Sequence, residues 1–305
     1  MYERKDRIVT RKKRIAFALL LMLIAHGCGK DETPSEILEK VKMTYQLMDT
    51  YQSQGTVKST VESGGLNTNA DIAFSIVLKK PNLYLISWAN ENMAIRSGAV
   101  WNDGDQRCIY MKQMNAYSEI NNDELALGYA TGLSGGAAFT IPSFFLSVFK
   151  EQPDPFSRLK APRIEKTEKV GQEDCYVISG PSTISKKETF WVSKKSYLIK
   201  KYNRSLEPPE GGVAIPEMTD EQIEETLKSM GQEVTEEGKQ RVRAMVEGSK
   251  EVLKTAKIKG SSTEIHSEIS SPGLDKKDFQ FVLPEGTELK ESLFGGILGG
   301  NKPEF

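Results

Sequence analysis

The feature that most restricts the fold of this chain is a two-residue apolar repeat that recurs in short segments between residues 56 and 120. Apolar residues stand at every second position from Ile72 to Leu78, which is typical of a strand buried on one side. Turn residues such as Asn102 to Gly104 join these segments, and no helical pattern separates them. Strands that follow one another in this way pair antiparallel, so the sequence predicts an antiparallel meander.

Three helical patterns interrupt or precede the strands. Thr33, Pro34 and Glu36 combine an N-cap, a first-turn proline and a reciprocal capping partner, which predicts an amphipathic helix that ends before Gly55. Residues 123–150 predict helices around a Gly-rich loop, and residues 219–257 predict a helical hairpin insertion. Strands are expected again over 163–202, 263–269 and 279–283.

About ten strands in one sheet cannot stay flat, and a curled sheet needs a cover on its inner face. The predicted fold class is therefore α+β: a single strongly curved antiparallel sheet covered by helices, in one domain over residues 33–290. Residues 291–305 are Gly-rich and are predicted to be a flexible tail.

The N-terminal segment predicts export. A basic run precedes an apolar stretch, Ile15 to Ala25, that is too short to span a bilayer, and Cys28 follows a small residue. This order resembles the lipobox of bacterial lipoprotein precursors, which implies a signal peptide over 1–27, lipid attachment at Cys28 and a tether over 28–32. An ordinary cleaved signal and an uncleaved anchor are the alternatives.

Charge and cysteine content narrow the function classes. Without residues 1–27 the chain has 34 basic and 40 acidic residues, so its net charge of about −6 argues against nucleic acid and anionic headgroups as partners.

Cys108 and Cys175 lie in strand-like segments, and a disulfide between them would contribute about 4 kcal/mol to stability. The alternative is two buried free thiols.

No credible active site is apparent. Gly132 to Gly136 matches the G-x-S-x-G nucleophile elbow, but the residues before Ser134 are helical in pattern, whereas the elbow needs a preceding strand. His266, the histidine that a triad would need, alternates with Ile265 and is expected to face solvent. The residues also lack the ligand spacing of a metal site and the glycine fingerprint of a nucleotide cofactor. We therefore expect a non-catalytic protein without a cofactor.

Apolar residues of the sheet and of the helical insertions are the candidates for a ligand cavity, although they would serve equally well as a packed core. The candidate cavity-lining residues are Phe74, Ile76, Leu78, Leu85, Trp88, Trp101, Phe144, Phe145, Val242, Met245, Val246 and Leu253. The narrow apolar stripe of the hairpin over 219–257 further predicts a movable lid.

The passage from Lys79 to Tyr84, followed by Trp101 to Gly104 and Tyr110, resembles a motif of periplasmic outer-membrane lipoprotein carriers, the LolA/LolB-like superfamily. The resemblance implies an unclosed β-barrel whose helices cover a hydrophobic cavity for acyl chains. Lys80 stands where these carriers usually have arginine. A protein anchored at Cys28 cannot shuttle across the periplasm, so a tethered binding role fits better than a carrier role.

The sequence thus predicts a lipid-anchored protein of the bacterial cell envelope that faces the periplasm. We expect this protein to bind lipid or lipoprotein acyl chains without catalysis. Gly29, in place of aspartate after the lipidated cysteine, implies the outer membrane. The alternative is an interaction lipoprotein that docks a protein partner through its helical hairpin and has no ligand cavity.

Overall fold

A computed structural model describes residues 32–63, 66–90, 97–152, 154–209, 217–229, 232–255 and 259–293. Within these ranges the chain forms one twelve-stranded sheet that does not close on itself, together with helices. The strands are β1 (Thr50–Ser63), β2 (Leu66–Lys79), β3 (Leu83–Asn90), β4 (Gly98–Asn102), β5 (Arg107–Met111), β6 (Ala116–Glu119), β7 (Arg163–Val170), β8 (Glu173–Gly180), β9 (Glu188–Ser193), β10 (Ile199–Ser205), β11 (Lys259–Ser270) and β12 (Glu288–Leu289).

The strands run in the order β12-β6-β5-β4-β3-β2-β1-β11-β10-β9-β8-β7. Consecutive hairpins account for most of this order, and β11 joins the two meanders by pairing with both β1 and β10. The pairs are antiparallel except for the short parallel contact of β12 with β6. The predicted α+β class and unclosed sheet are confirmed.

The helices are α1 (Pro34–Leu47), α2 (Asp123–Leu133), α3 (Ala137–Thr140), α4 (Pro142–Phe145), α5 (Asp220–Ser229) and α6 (Glu236–Thr255). The predicted capping box of α1 is present: Thr33 Oγ1 accepts from the Glu36 amide at 3.3 Å, and Glu36 accepts from the Thr33 amide at 2.7 Å. The buried stripe of α1, which includes Ile37, Val41 and Tyr45, packs on the sheet.

Helices α2 to α4 lie on the same face of the sheet as α1. Ala126, Leu127 and Ala130 of α2 belong to the core that the strands form. Gly135 and Gly136 have φ of 69° and 110°, and this left-handed backbone turns the chain between α2 and α3. We call the face under α1 to α4 the covered face and the other the opposite face.

Helices α5 and α6 form the predicted hairpin. Thr219 and Thr235 accept hydrogen bonds from the first-turn amides of Gln222 and Gly238, which fixes both N-termini. Ile223, Leu227 and Val242 bury one another in a cluster separate from the main core.

The structure differs from the predicted strand at the C-terminal end and decides between the two alternatives at the cysteines. Residues 279–283 are not a strand; Phe281 and Leu283 pack on Trp101 of the opposite face instead. Leu293, near the start of the predicted tail, is buried in the main core, and residues 294–305 of that tail lie outside the described residues. Cys108 and Cys175 are free and buried on β5 and β8, which seven other strands separate in the sheet, so of the two alternatives the structure has the free thiols and not the disulfide.

In the part of the chain that the structure describes, no helix is both long enough and apolar enough to cross a membrane.

Candidate functional site: the covered face of the sheet

The covered face has an apolar centre built by period-two alternation. Ile72, Phe74, Ile76 and Leu78 of β2 are at most 4% exposed, and their neighbours on β3 continue the surface across the sheet. The helices α1 to α4 supply the opposing side chains. A continuous apolar layer therefore lies between the sheet and its helical cover.

Aromatic rings form a connected row through this layer. Phe144 of α4 stacks on Tyr45 of α1, with ring centroids 5.8 Å apart, and lies 4.6 Å from Phe156. Phe156 meets Phe190 edge to face at 5.0 Å, and Phe190 stacks on Tyr202 at 4.7 Å. The cover contributes rings whose displacement would leave apolar strand residues bare.

The Lys79–Asn82 motif fastens this cover to the sheet. Lys80 Nζ donates to the carbonyl oxygens of Tyr45 and Gln46 at the C-terminal end of α1, at 2.9 and 2.5 Å. The same ammonium lies 4.9 Å from the centre of the Phe145 ring. Asn82 Oδ1 accepts from the Val148 amide at 3.0 Å. The motif therefore holds the C-terminal end of α1 and the segment that follows α4 at one turn.

A second fastening lies where α2 begins. Asp123 Oδ1 accepts hydrogen bonds from the Tyr84 hydroxyl and from Asn102 Nδ2, both at 2.9 Å, and it pairs with Arg107. Burial, followed by the adjacent Asp123 charge, raises the pKa of Tyr84. This network ties the first turn of α2 to β3, β4 and β5.

Among the described residues, two carboxylates are buried on the covered face, and the first is Glu188 of β9. Its side chain is fully buried. Arg158 donates to both of its oxygens at 3.1 and 3.2 Å, and the Tyr202 hydroxyl donates to Oε2 at 2.7 Å. Arg158 also lies 5.6 Å from the Phe139 ring centre. Arg158 thus neutralises the charge of Glu188, and Arg158 and Tyr202 together satisfy its hydrogen-bonding capacity.

The second buried carboxylate is Glu264 of β11. Its Oε2 accepts from the Thr140 hydroxyl of α3 at 2.7 Å, and its Oε1 lies 2.8 Å from His266 Nε2. His266 Nδ1 faces the hydroxyls of Ser53 and Tyr51 at 3.3 and 3.4 Å. Burial raises the pKa of Tyr51 well above its ordinary value, and the Glu264 charge adds to this.

The expectation that His266 faces solvent is wrong, because its side chain is fully buried. The pairing of β11 with β1 contains a bulge, where Gln52 and Gln54 face Ser270 and Ser267, and Glu268 has φ of 49°. The extra residue breaks the alternation, so His266 and Ile269 both point toward the covered face. A single non-Gly bulge of this kind leaves no clear sequence signal.

The candidate cavity residues divide among three places. Phe74, Ile76, Leu78, Trp88 and Phe145 are buried in the layer under the cover, and Phe144 packs against it. Leu85 and Trp101 instead pack on the opposite face with Phe281. In the hairpin, Val242 is buried between the two helices, Met245 is 42% exposed and Val246 is half-buried. The Leu253 side chain and the proposed lipidation site Cys28 lie outside the described part of the chain.

Residues missed by sequence reasoning include Thr140, Glu188 and Glu264, whose polar side chains gave no hint of burial. Ser134 of the elbow-like motif is buried, and its hydroxyl accepts from the Ala138 amide at 3.1 Å. It follows helix α2 rather than a strand. The described residues contain no group of three or more His, Cys, Asp or Glu that could hold a metal ion.

Comparisons with known proteins give matches among solved structures. No protein-family model matches the chain. No curated protein matches it. The chain is similar to an uncharacterized conserved protein from Thermus thermophilus, with 8% identity, coverage of 84% of this chain and 97% of that one, and a TM-score of 0.41.

Two further solved structures are similar to this chain. A LolA superfamily protein from Nitrosomonas europaea shares 12% identity over 82% of this chain and 99% of its own, with a TM-score of 0.29. The Mycobacterium tuberculosis lipoprotein LppX shares 10% identity over 78% and 95%, with a TM-score of 0.39.

Proposed function

We propose that this protein is a membrane-anchored lipoprotein of the bacterial envelope that binds an acyl chain between the sheet and its helical cover, without catalysis. The observation that carries the proposal is the construction of the cover. Its centre consists of α3 and α4, each four residues long, joined at Ile141 and preceded by two glycines in left-handed conformation. Helices this short gain little from cooperative propagation, so tertiary contacts alone hold them in place.

Those contacts are chiefly apolar and aromatic, and an acyl chain offers the same kind of surface. When a chain enters, it replaces the contacts that Phe144 and Phe145 make with the strands, so buried apolar area is exchanged rather than lost. The polar fastenings at Lys80 and Asp123 lie at the two ends of the cover. The centre can therefore move while its ends stay attached to the sheet.

Anchoring at Cys28 places this binding face close to a membrane. Glu32, at the end of the predicted tether, accepts hydrogen bonds from the hydroxyls of Tyr176 and Tyr197 at 2.8 and 3.0 Å and pairs with Lys40. These partners hold the pKa of Glu32 below its ordinary value against the opposing effect of burial. The point at which the tether meets the domain is thus fixed on β8 and on the turn between β9 and β10. The lipid at Cys28 would hold the protein at the outer membrane, facing the periplasm.

Native mass spectrometry of the full-length protein, extracted from membranes with a bile-salt detergent that carries no acyl chain, tests the proposal. We expect a non-covalent acyl species in addition to the covalent lipid. The Cys28→Ser variant is the matched control: it should lose fatty-acid labelling and the covalent mass but keep the non-covalent species. Continued labelling would refute the anchor. Repeated preparations free of bound acyl species would instead favour the alternative, an interaction lipoprotein that docks a partner through α5 and α6.

A further inference from the structure

The pair formed by Glu264 and His266 is a polar cluster of the covered face that the binding of an acyl chain does not explain. Both side chains are at most 3% exposed. Their partners Ser53 and Thr140 are equally buried. A carboxylate in such a place is stabilised only if its hydrogen-bonding capacity is satisfied.

The hydrogen-bonding capacity of the Glu264 carboxylate is only partly satisfied. Glu264 Oε1 and His266 Nε2 are 2.8 Å apart, yet neither atom takes part in a hydrogen bond of acceptable geometry with any residue that the structure describes. Glu264 Oε2 has the Thr140 hydroxyl as its donor. The contrast with Glu188 is direct, since the guanidinium of Arg158 neutralises that carboxylate and the Tyr202 hydroxyl completes its bonding.

The chemistry of the cluster defines what it can bind. The hydroxyls of Ser53 and Tyr51 can donate to His266 Nδ1, which leaves the ring proton on Nε2. The cluster then presents carboxylate acceptors and one N–H donor at a single point. Trp88, opposite Phe74 on the neighbouring strand, adds on the same face a buried Nε1–H that has no acceptor among the described residues.

The position of the cluster connects it to the cover. Thr140 is the last residue of α3, so displacement of the cover centre removes the donor of Glu264 Oε2 at the same moment as it exposes the apolar layer. On the sheet side, Phe74 meets the imidazole edge to face at 5.2 Å. A ligand whose chain lies along β2 would therefore bring its polar end next to Glu264 and His266.

We infer that Glu264 and His266 form the subsite for the polar end of the bound lipid and that this end is a neutral, hydroxylated group such as the glycerol of a monoacylglycerol. A hydroxyl both donates to the carboxylate and accepts from His266 Nε2, whereas a methyl ester has no hydroxyl to donate and an ionised fatty acid is repelled by the Glu264 charge. This inference rests on the proposed function.

The test compares three probes with the same chain on the full-length protein in bile-salt micelles: palmitoylglycerol, methyl palmitate and palmitate. We expect palmitoylglycerol to bind about tenfold more tightly than methyl palmitate, since it adds a hydrogen bond to a charged group. Palmitate is expected to bind most weakly. Binding of all three with equal affinity would overturn the inference but leave acyl binding intact, whereas binding of none would refute the proposed function.

Two variants separate a ligand subsite from a structural role. Thr140→Val is nearly isosteric and removes the internal donor that competes for Glu264, so the preference for palmitoylglycerol over methyl palmitate should rise several-fold. If Thr140 only held the cover in place, its replacement would loosen the cover equally for every probe and leave this ratio of affinities unchanged. Glu264→Gln keeps an acceptor but removes the charge, so palmitate should gain relative to methyl palmitate. An unchanged ratio of these two probes in a folded Glu264→Gln protein would contradict the subsite.

Discussion

Glu188 and Glu264 lie on the same covered face of the same sheet, on opposite sides of Tyr202, and yet their surroundings differ. Tyr202 faces Phe190 on one side and Glu264 on the other in the strand register. Glu188 has a guanidinium and a phenol as donors, whereas Glu264 has one threonine hydroxyl and a poorly aligned imidazole. The first arrangement is complete in itself and stabilises the fold, while the second becomes complete only when something else supplies a donor.

The largest effect is expected where the complete arrangement is broken. Arg158→Ala leaves Glu188 as a buried charge without its cation, so the free energy of unfolding should fall by about 3–5 kcal/mol, measured by urea unfolding. Lys187→Ala is the matched control, because Lys187 and Glu165 form an exposed ion pair whose loss costs less than about 1 kcal/mol. Equal effects of the two variants would show that Glu188 does not depend on Arg158.

A smaller but clear effect is expected at Gly55, which faces His266 across the β1–β11 pairing. A Cβ at this position would lie 2.1 Å from the Ile265 carbonyl oxygen and 2.3 Å from the Phe74 ring. Gly55→Ala should therefore cost about 1–3 kcal/mol by overpacking. Gly128→Ala in α2 meets no atom within 4 Å and should be neutral or slightly stabilising. A Gly55→Ala protein as stable as the wild type would mean that the Phe74–His266 contact is not fixed.

The hydrogen bond between Thr140 and Glu264 is expected to give a coupling free energy of unfolding of about 1 kcal/mol. Thr140→Val, Glu264→Met and the double variant form a mutant cycle, measured by urea unfolding. Thr140→Val alone should destabilise the protein because it leaves a buried carboxylate oxygen without its donor. In the Glu264→Met background the same change should cost almost nothing. Additive effects would show that α3 is not tied to β11 through this bond.

The smallest effect is a difference in pH dependence. Burial raises the pKa of Tyr51 above that of an unfolded tyrosine, so only the unfolded state ionises as the pH rises above about 10. The stability that Tyr51 contributes is therefore present below that pH and is lost above it. Tyr51→Phe should make the alkaline fall in unfolding free energy less steep, and Tyr202→Phe, whose pKa burial also raises, should do the same. If the slope of unfolding free energy against pH is unchanged in both variants, the claim that these tyrosines are buried and neutral in the folded protein is contradicted.

Sequence patterns predicted the elements that rest on local periodicity and capping, including α1, the hairpin α5–α6 and nearly all strands. They did not predict which face of β11 carries His266, because one bulged residue at Glu268 reverses the alternation. They also placed Leu85 and Trp101 in the cavity, although strand parity puts both on the face opposite Ile76 and Ile86. Long-range partners such as Thr140 and Glu264 are 124 residues apart, and no local rule connects them.

Photolabelling with a palmitoyl probe that carries a diazirine along its chain tests the central claim most directly. The full-length protein in bile-salt micelles is irradiated with the probe, digested and mapped by mass spectrometry. Acyl binding under the cover predicts labels on Phe74, Ile76 or Leu78 of β2 and on Phe144 or Phe145 of α4, and excess unlabelled palmitoylglycerol should suppress them. Labels confined to Met245 of the hairpin or to the exposed Val282, insensitive to the competitor, would contradict the account.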